Sequence, residues 1–273
     1  MVCPPVMGHP QPDLPINECE EGCGSALSPE WQQLVAEIVR CRRCPRLVQW
    51  REHVARERRP AYKDWDYWGR PVPGFGDYNA RLLIVGLAPG AHGSNRTGRM
   101  FTGDSSGDTL YAALYRAGFA NRSQATHRND GLRLHNTFIT AIVRCVPPAN
   151  RPTKDEIIAC RQFLEREWQL LPGIRVVLAL GRLAFDASME LLRQYGYHVP
   201  RLRFAHALHC PIEHSNTDKP IHLIAAYHPS RQNTQTGRLT PQMLDEVLHK
   251  VGALLTDAEH QDDGQAFQGS PAL

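Results

Sequence analysis

Four short apolar runs, residues 82–85, 137–143, 176–180 and 222–226, set the narrowest limits on how this chain folds. They are rich in β-branched residues and mostly lack the polar–apolar alternation of a strand with one wet face, so both their faces belong in a core. Helical periodicity fills the intervals, at 109–117, 154–170, 183–195 and 241–255. Strands alternating with helices predict a three-layer α/β/α fold around a central, mostly parallel, four-stranded sheet. In such sheets ligands bind where loops leave the carboxyl ends of the strands. Three loops qualify: VGLAPGAHGSNRTGRMFTGD from Val85, RCVPPANRP from Arg144 and YHPSRQN from Tyr227.

The first loop imitates a phosphate-cradling turn between Gly93 and Arg99. Arg99 and Met100 stand where that turn needs a lysine followed by a hydroxyl residue, so a nucleoside triphosphate is not its natural ligand. Outside the alternating region, residues 1–28 and 257–273 are proline-, glycine- and acid-rich or lack periodicity, and disorder is expected for both. The domain expected between them, 29–256, begins with a helix over 29–39 that Ser28 caps and that aligns Trp31, Leu34, Val35 and Ile38. At 273 residues and 42% apolar, one sizeable core is the expectation.

No run has the length and apolarity of a membrane span, and the N-terminus has no leader pattern, so a cytoplasmic, membrane-free protein is expected. The formal charge of +3 names no partner. Its distribution is more informative: Arg40, Arg42, Arg43, Arg46, Arg51, Arg56, Arg58 and Arg59 crowd one segment. Such a cluster is either a solvated helix face or a phosphate-contacting surface.

Eight cysteines are too few for a disulfide scaffold in a chain of this length. Cys41 and Cys44 have the C-x-x-C spacing that converges two thiolates, and Cys145 and Cys160 supply a wider pair on a strand end and the following helix. Four thiolates suit structural zinc or an iron-sulfur cluster, with spacing alone slightly favouring zinc. Cys3, Cys19, Cys23 and Cys210 are read as non-ligands.

Together, CRRCPRL, GLAPGAHGSNRTGRMFTGD, RCVPPANRP and YHPSRQNTQTGRLT resemble the motifs of the uracil-DNA glycosylase superfamily, in its iron-sulfur branch, over residues 41–254. Leu87, where family 4 carries glutamate, and the longer last motif are similar to family 5, the type b enzymes. The resemblance implies a monomeric base-excision enzyme acting on uracil-containing DNA, with a structural [4Fe-4S] cluster on Cys41, Cys44, Cys145 and Cys160. It also implies roles. Asp104 orients water or offsets charge on the sugar, and His228 donates to the carbonyl of the leaving base. Phe101 stacks on the flipped base, and Gly86, Leu87, Ala88, Pro89 and Gly90 form the turn beside it. Asn150 and Asn233 contact the base or its waters, while Ser230 and Arg231 bind phosphates. Family 4 has an asparagine four residues before the third cysteine; Ala141 stands there, which implies relaxed discrimination extending to bases such as hypoxanthine. The competing reading is a cluster-bearing nucleic-acid-binding protein without glycosylase activity.

Overall fold

A computed structural model describes residues 27–266. In chain order its elements are α1 (Pro29–Arg40), α2 (Pro45–Glu57), β1 (Phe75–Gly76), β2 (Leu82–Gly86), α3 (Ser94–Thr97), α4 (Ser105–Arg116), β3 (Thr137–Ala141), α5 (Lys154–Leu170), β4 (Val176–Leu180), α6 (Arg182–Gln194), β5 (His209–His214), β6 (Thr217–Ala226), α7 (Arg231–Gln235) and α8 (Pro241–Ala266).

The sheet order is β1-β3-β2-β4-β6-β5. Strands β3, β2, β4 and β6 pair in parallel, and they are the four runs read from the sequence. Two antiparallel edge strands join them, so the sheet has six strands rather than four. Neither carries the apolar signal of a central strand: β1 spans two residues, and β5 reads HCPIEH, with a proline that an edge tolerates.

Successive side chains of the central strands enter opposite layers, as the strand repeat demands. Leu83, Val85, Val177, Ala179, Leu223 and Ala225 join Leu34, Ile38, Phe163, Leu164, Phe185 and Leu192 of α1, α5 and α6. Leu82, Ile84, Val176, Leu178 and Ile224 join Leu110, Leu114, Leu244 and Leu248 of α4 and α8. The three-layer expectation holds. From β2 the chain steps to β3 on one side and to β4 on the other, so the crevice beyond the carboxyl ends of β2 and β4 is the topological switch point.

Helix α4 begins four residues earlier than its apolar pattern because Asp104 caps it. Helix α8 continues to Ala266, so part of the segment expected to be disordered from 257 is helical. Propagation of an existing helix needs no apolar face, which is why the pattern ends before the helix does. Residues 1–26 and 267–273, also expected to be disordered, lie outside the described residues.

Arg99, at the lysine position of the imitated phosphate loop, serves the fold. Its guanidinium grips Asp130 through two bonds of 2.8 and 2.7 Å, donates to Thr102 Oγ1 and lies over the Phe75 ring. Burial would raise the Asp130 carboxyl, but Arg99 and the N–H groups of Leu132 and Thr126 outweigh it and hold the carboxyl well below the usual carboxylate range. A group with a depressed folded pKa contributes stability that is fully present above its ordinary value, about 4 for aspartate, and is lost as pH falls below it. Asp130→Asn leaves Arg99 buried without its counter-charge and is expected to cost about 3–5 kcal/mol in urea unfolding at neutral pH.

Candidate active site and cysteine cavity

The crevice is built by the loop after β2 and the turn after β6. A Cβ at Gly86 would lie 2.9 Å from Cζ of Phe101, so the bare glycine lets that ring lie against the strand end. Gly86 is thus the start of the turn read from the sequence, with Phe101 packed against it. Ile142 and Val143 donate to the carbonyls of Gly86 and Leu87, extending the pairing with β3 past its last ladder residue. Leu87 and Ala88 pack half-buried on the α1/α5/α6 core, and Pro89 is buried. Gly90 closes the turn by accepting from the Asn95 N–H at 3.0 Å.

After α3 the chain reaches Phe101 in the left-handed region at φ 51°, an uncommon conformation for an aromatic residue. Both sides hold it there. Tyr111 Oη donates to the Met100 carbonyl at 2.8 Å, and the Phe101 carbonyl sits so close to Gly107 that a Cβ there would lie 1.7 Å from it. The Phe101 ring stacks on the imidazole of His228, centroid to centroid 5.6 Å. Phe101 thus joins the core of one layer and lies against His228.

Asp104 likewise has two functions at once. Its Oδ1 accepts from the N–H groups of Ser106 and Gly107 at 3.1 Å each, capping α4. Its Oδ2 takes the opposite direction and fills the space above Gly90 and Gly93, where added Cβ atoms would lie 2.7 and 1.9 Å away. Burial raises the Asp104 carboxyl above the usual range, opposed by the two capping N–H groups and by Arg96. Arg96 itself was not singled out in the sequence. It lies 4.0 Å from the rings of both Tyr62 and Trp65 and donates to the carbonyls of His92 and Gly103, bracing the loop that carries Asp104. No spacing rule links an arginine to aromatics so far upstream.

His228 follows β6. Asn233 Nδ2 donates to the His228 carbonyl at 2.8 Å, and Gly181 leaves only van der Waals room, 3.5 Å, between its Cβ position and that of His228. Burial alone lowers the imidazole to about 4, so it is neutral at physiological pH. Asn233, expected at the base or its waters, holds the turn through this bond. Ser230, expected at phosphate, caps α7 by accepting from the Asn233 N–H. Arg231 is exposed. Asn150 is exposed on a 3₁₀ turn after β3, and it and Ala149 are both left-handed, at φ 55° and 52°. The structure therefore brings Phe101 and His228 into contact, with Asp104 on the glycine side of the same loop, and leaves Asn150 on the rim. Ala141 is buried opposite Gly86 and offers no polar edge to a ligand.

A second feature lies between α2, α5 and the segment after β3. Cys41, Cys44, Cys145 and Cys160 line one small cavity. Among the described residues no three His, Cys, Asp or Glu side chains approach closely enough to hold a single metal ion. Four thiols around one cavity suit either a structural zinc or an iron-sulfur cluster. The surroundings suit an anion. Arg51, buried at 2% exposure, donates to Cys145 Sγ at 3.0 Å and to the Cys41 carbonyl, and its Nε has no partner. The Arg144 N–H donates to Cys160 Sγ at 3.3 Å, and two further guanidinium nitrogens of Arg144 are unpartnered although Glu167 pairs with the third. Cys44 caps α2 through its backbone, so the positive end of that helix faces the thiols. Burial pushes Cys145 up to about 11 and Cys160 up to about 12, so loading the cavity must displace protons. Of the arginine-rich segment, Arg51 is thereby consumed, Arg46 is bound to Glu156 and Arg42 to Glu52, while Arg40, Arg56 and Arg59 are exposed without ion pairs among the described residues.

Comparison with known proteins follows the geometry. The family model described as the uracil DNA glycosylase superfamily matches residues 73–252. The type-5 uracil-DNA glycosylase of Thermus thermophilus is 50% identical over 223 residues, 82% of this chain and 97% of its own. That of Mycobacterium tuberculosis is 49% identical over 81% of each chain, and that of Pyrobaculum aerophilum 42% identical over 82% of this chain and 92% of its own. With the family model covering the whole sheet and relatives of this similarity aligned over four-fifths of the sequence, the chain belongs to the uracil-DNA glycosylase superfamily, in its type-5 branch.

Proposed function

We propose that this protein hydrolyses the bond between uracil and deoxyribose in DNA, and that it accepts other deaminated bases such as hypoxanthine. The observation that carries the reading is a neutral imidazole stacked on the Phe101 ring, with an Asp104 carboxylate oxygen free of its capping duty on the loop that carries Phe101. The target nucleotide must leave the stack to reach such a crevice. Phe101 receives the face of the base, a contact of about 1–3 kcal/mol. Asp104 Oδ2, above Gly90 and Gly93, orients the attacking water and offsets positive charge on the sugar. The imidazole N–H of His228 donates to the base carbonyl as negative charge grows there, and neutrality suffices for a donor. Asn233 and Phe101 fix the ring so that little reorganisation accompanies the step. The absence of a polar side chain at Ala141 removes one discriminator of pyrimidine edges and supports the wider substrate range.

The four cysteines would hold a [4Fe-4S] cluster, whose contribution is to fold: when bound, it crosslinks α2 and α5 to the segment after β3. Arg51, Arg144 and the start of α2 supply the positive surroundings. The linkage also sets the exposed Arg40, Arg56 and Arg59 on a surface that supports DNA binding.

A pH profile tests the two titrating groups. The active forms are Asp104 ionised and His228 neutral. Burial raises the aspartate and lowers the histidine, so the single-turnover rate is expected to fall on the acid side at a pH above the usual aspartate value of about 4 and to stay level through about pH 6–8. A histidine-like break near pH 6.5, the ordinary value for imidazole at about that pH, would contradict the assigned protonation state.

A further inference from the structure

The segment between α6 and β5 belongs to none of the motifs above. From 201 to 208 its residues alternate between exposed and half-buried: Arg201, Arg203, Ala205 and Ala207 outward, Leu202, Phe204, His206 and Leu208 inward. The first five residues show the pattern of an extended strand without a strand partner; a turn follows at His206–Ala207, where Ala207 is left-handed at φ 59° and the Leu208 N–H donates to the Ala205 carbonyl, before Leu208 accepts from the Ala225 N–H. Side chains hold it instead. Phe204 packs on Phe185 of α6 and on Tyr227, at 5.8 and 6.0 Å between ring centroids. His206 stacks on Tyr227 at 5.0 Å with 20° between planes, and its Nδ1 accepts the Tyr227 N–H at 3.2 Å. Tyr227 precedes His228 directly, so this strap is laid against the residue that leads into the crevice.

Its outward face is cationic. Between Glu190 and Glu213 the chain carries no carboxylate. Arg201 and Arg203 are exposed and form no ion pair among the described residues. Arg238 reaches the same tyrosine, its guanidinium 4.5 Å above the Tyr227 ring, and Arg231 opens the helix just after His228. A rigidly seated strap with unpaired, outward guanidinium groups beside a base-holding crevice fits a polyanion that runs past that crevice.

We propose that residues 201–208 form a rail that binds the phosphate backbone of the DNA flanking the extruded nucleotide, with Arg201 and Arg203 as its contacts. The inference rests on the glycosylase reading and adds a contact surface to it. Phosphate contacts position the duplex and carry no base information, so the rail sets affinity and salt dependence rather than the rate of bond breaking.

The test uses the full chain and two ligands, an undamaged duplex and the same duplex with one uracil. Arg201→Ala/Arg203→Ala is expected to weaken binding of both about tenfold and to reduce the slope of log K against log salt by about 2, near 0.9 per lost phosphate contact. Its single-turnover rate at saturating protein should stay within about twofold of the parent, because the crevice is untouched. Arg201→Lys/Arg203→Lys should restore the slope, and Arg166→Ala, removing a half-buried arginine of α5 already paired with Glu37 of α1, should leave it unchanged. An unaltered affinity and slope in the alanine variant overturns the rail. Failure of the parent protein to release uracil overturns the glycosylase reading instead, and binding to the undamaged duplex still decides the rail.

Discussion

Asp104→Asn slows single-turnover release of uracil by about 10²–10³-fold, with DNA affinity nearly unchanged, and His228→Ala does the same; this range is that for loss of one oxyanion-type contact. Asparagine is the informative replacement at Asp104, because it caps a helix about as well as aspartate and so keeps α4 in place while removing the charge. Any rate loss then belongs to Oδ2 and not to a disturbed loop. The two variants separate on a second substrate. Water orientation and charge on the sugar are common to every base, so Asp104→Asn should impair release of uracil and hypoxanthine alike. A donor placed for the uracil carbonyl meets the purine carbonyl in a different position, so His228→Ala should hurt uracil release more. Equal, mild losses that follow weaker DNA binding, read by fluorescence anisotropy, would refute both roles.

The second large effect concerns the cysteine cavity. Purified protein is expected to be brown and to contain iron, with broad visible absorbance. Cys160→Ser should abolish the colour and lower the unfolding midpoint, since the buried Arg51 and Arg144 then face each other across a cavity without the anion that offsets them. Replacing Cys210, a half-buried cysteine on edge strand β5, should change neither. One zinc per chain and no iron would refute the cluster, whatever the stability.

The legible parts of this molecule are those in which one physical demand governs a stretch of residues. The four parallel strands were readable because burial on both faces leaves no room for polar residues, and α5 because its helical pattern runs unbroken over 154–170; the capping box of Thr153 and Glu156 in front of it was found in the structure. The edge strands were not. Two residues of β1 and the mixed composition of β5 obey only the pairing offered by β3 and β6, which is a tertiary fact. The site divides the same way. Motifs pointed to Asp104 and His228, but not to how one carboxylate caps a helix and faces a crevice at once. Asn233 and Ser230 were legible as loop residues of the last motif, yet their hydrogen bonds turn inward, to the His228 carbonyl and the start of α7. Arg96 was hidden because its aromatic partners lie far upstream, and Arg51 was legible only as one of an arginine cluster because its contact with Cys145 is tertiary. Arg99 was visible as a departure from a phosphate-loop pattern, and only Asp130 explains it.

The central claim is that the crevice breaks an N-glycosidic bond using residues of this chain. The most direct measurement incubates excess purified protein, without added divalent metal, with a duplex oligonucleotide bearing one uracil, and follows free uracil by chromatography alongside alkali-sensitive strand cleavage at that position. The account predicts stoichiometric free uracil and a single abasic site, with both signals reduced about 10²–10³-fold in Asp104→Asn. Tight binding of the duplex with the uracil still attached would contradict it and leave a nucleic-acid-binding protein of the same fold.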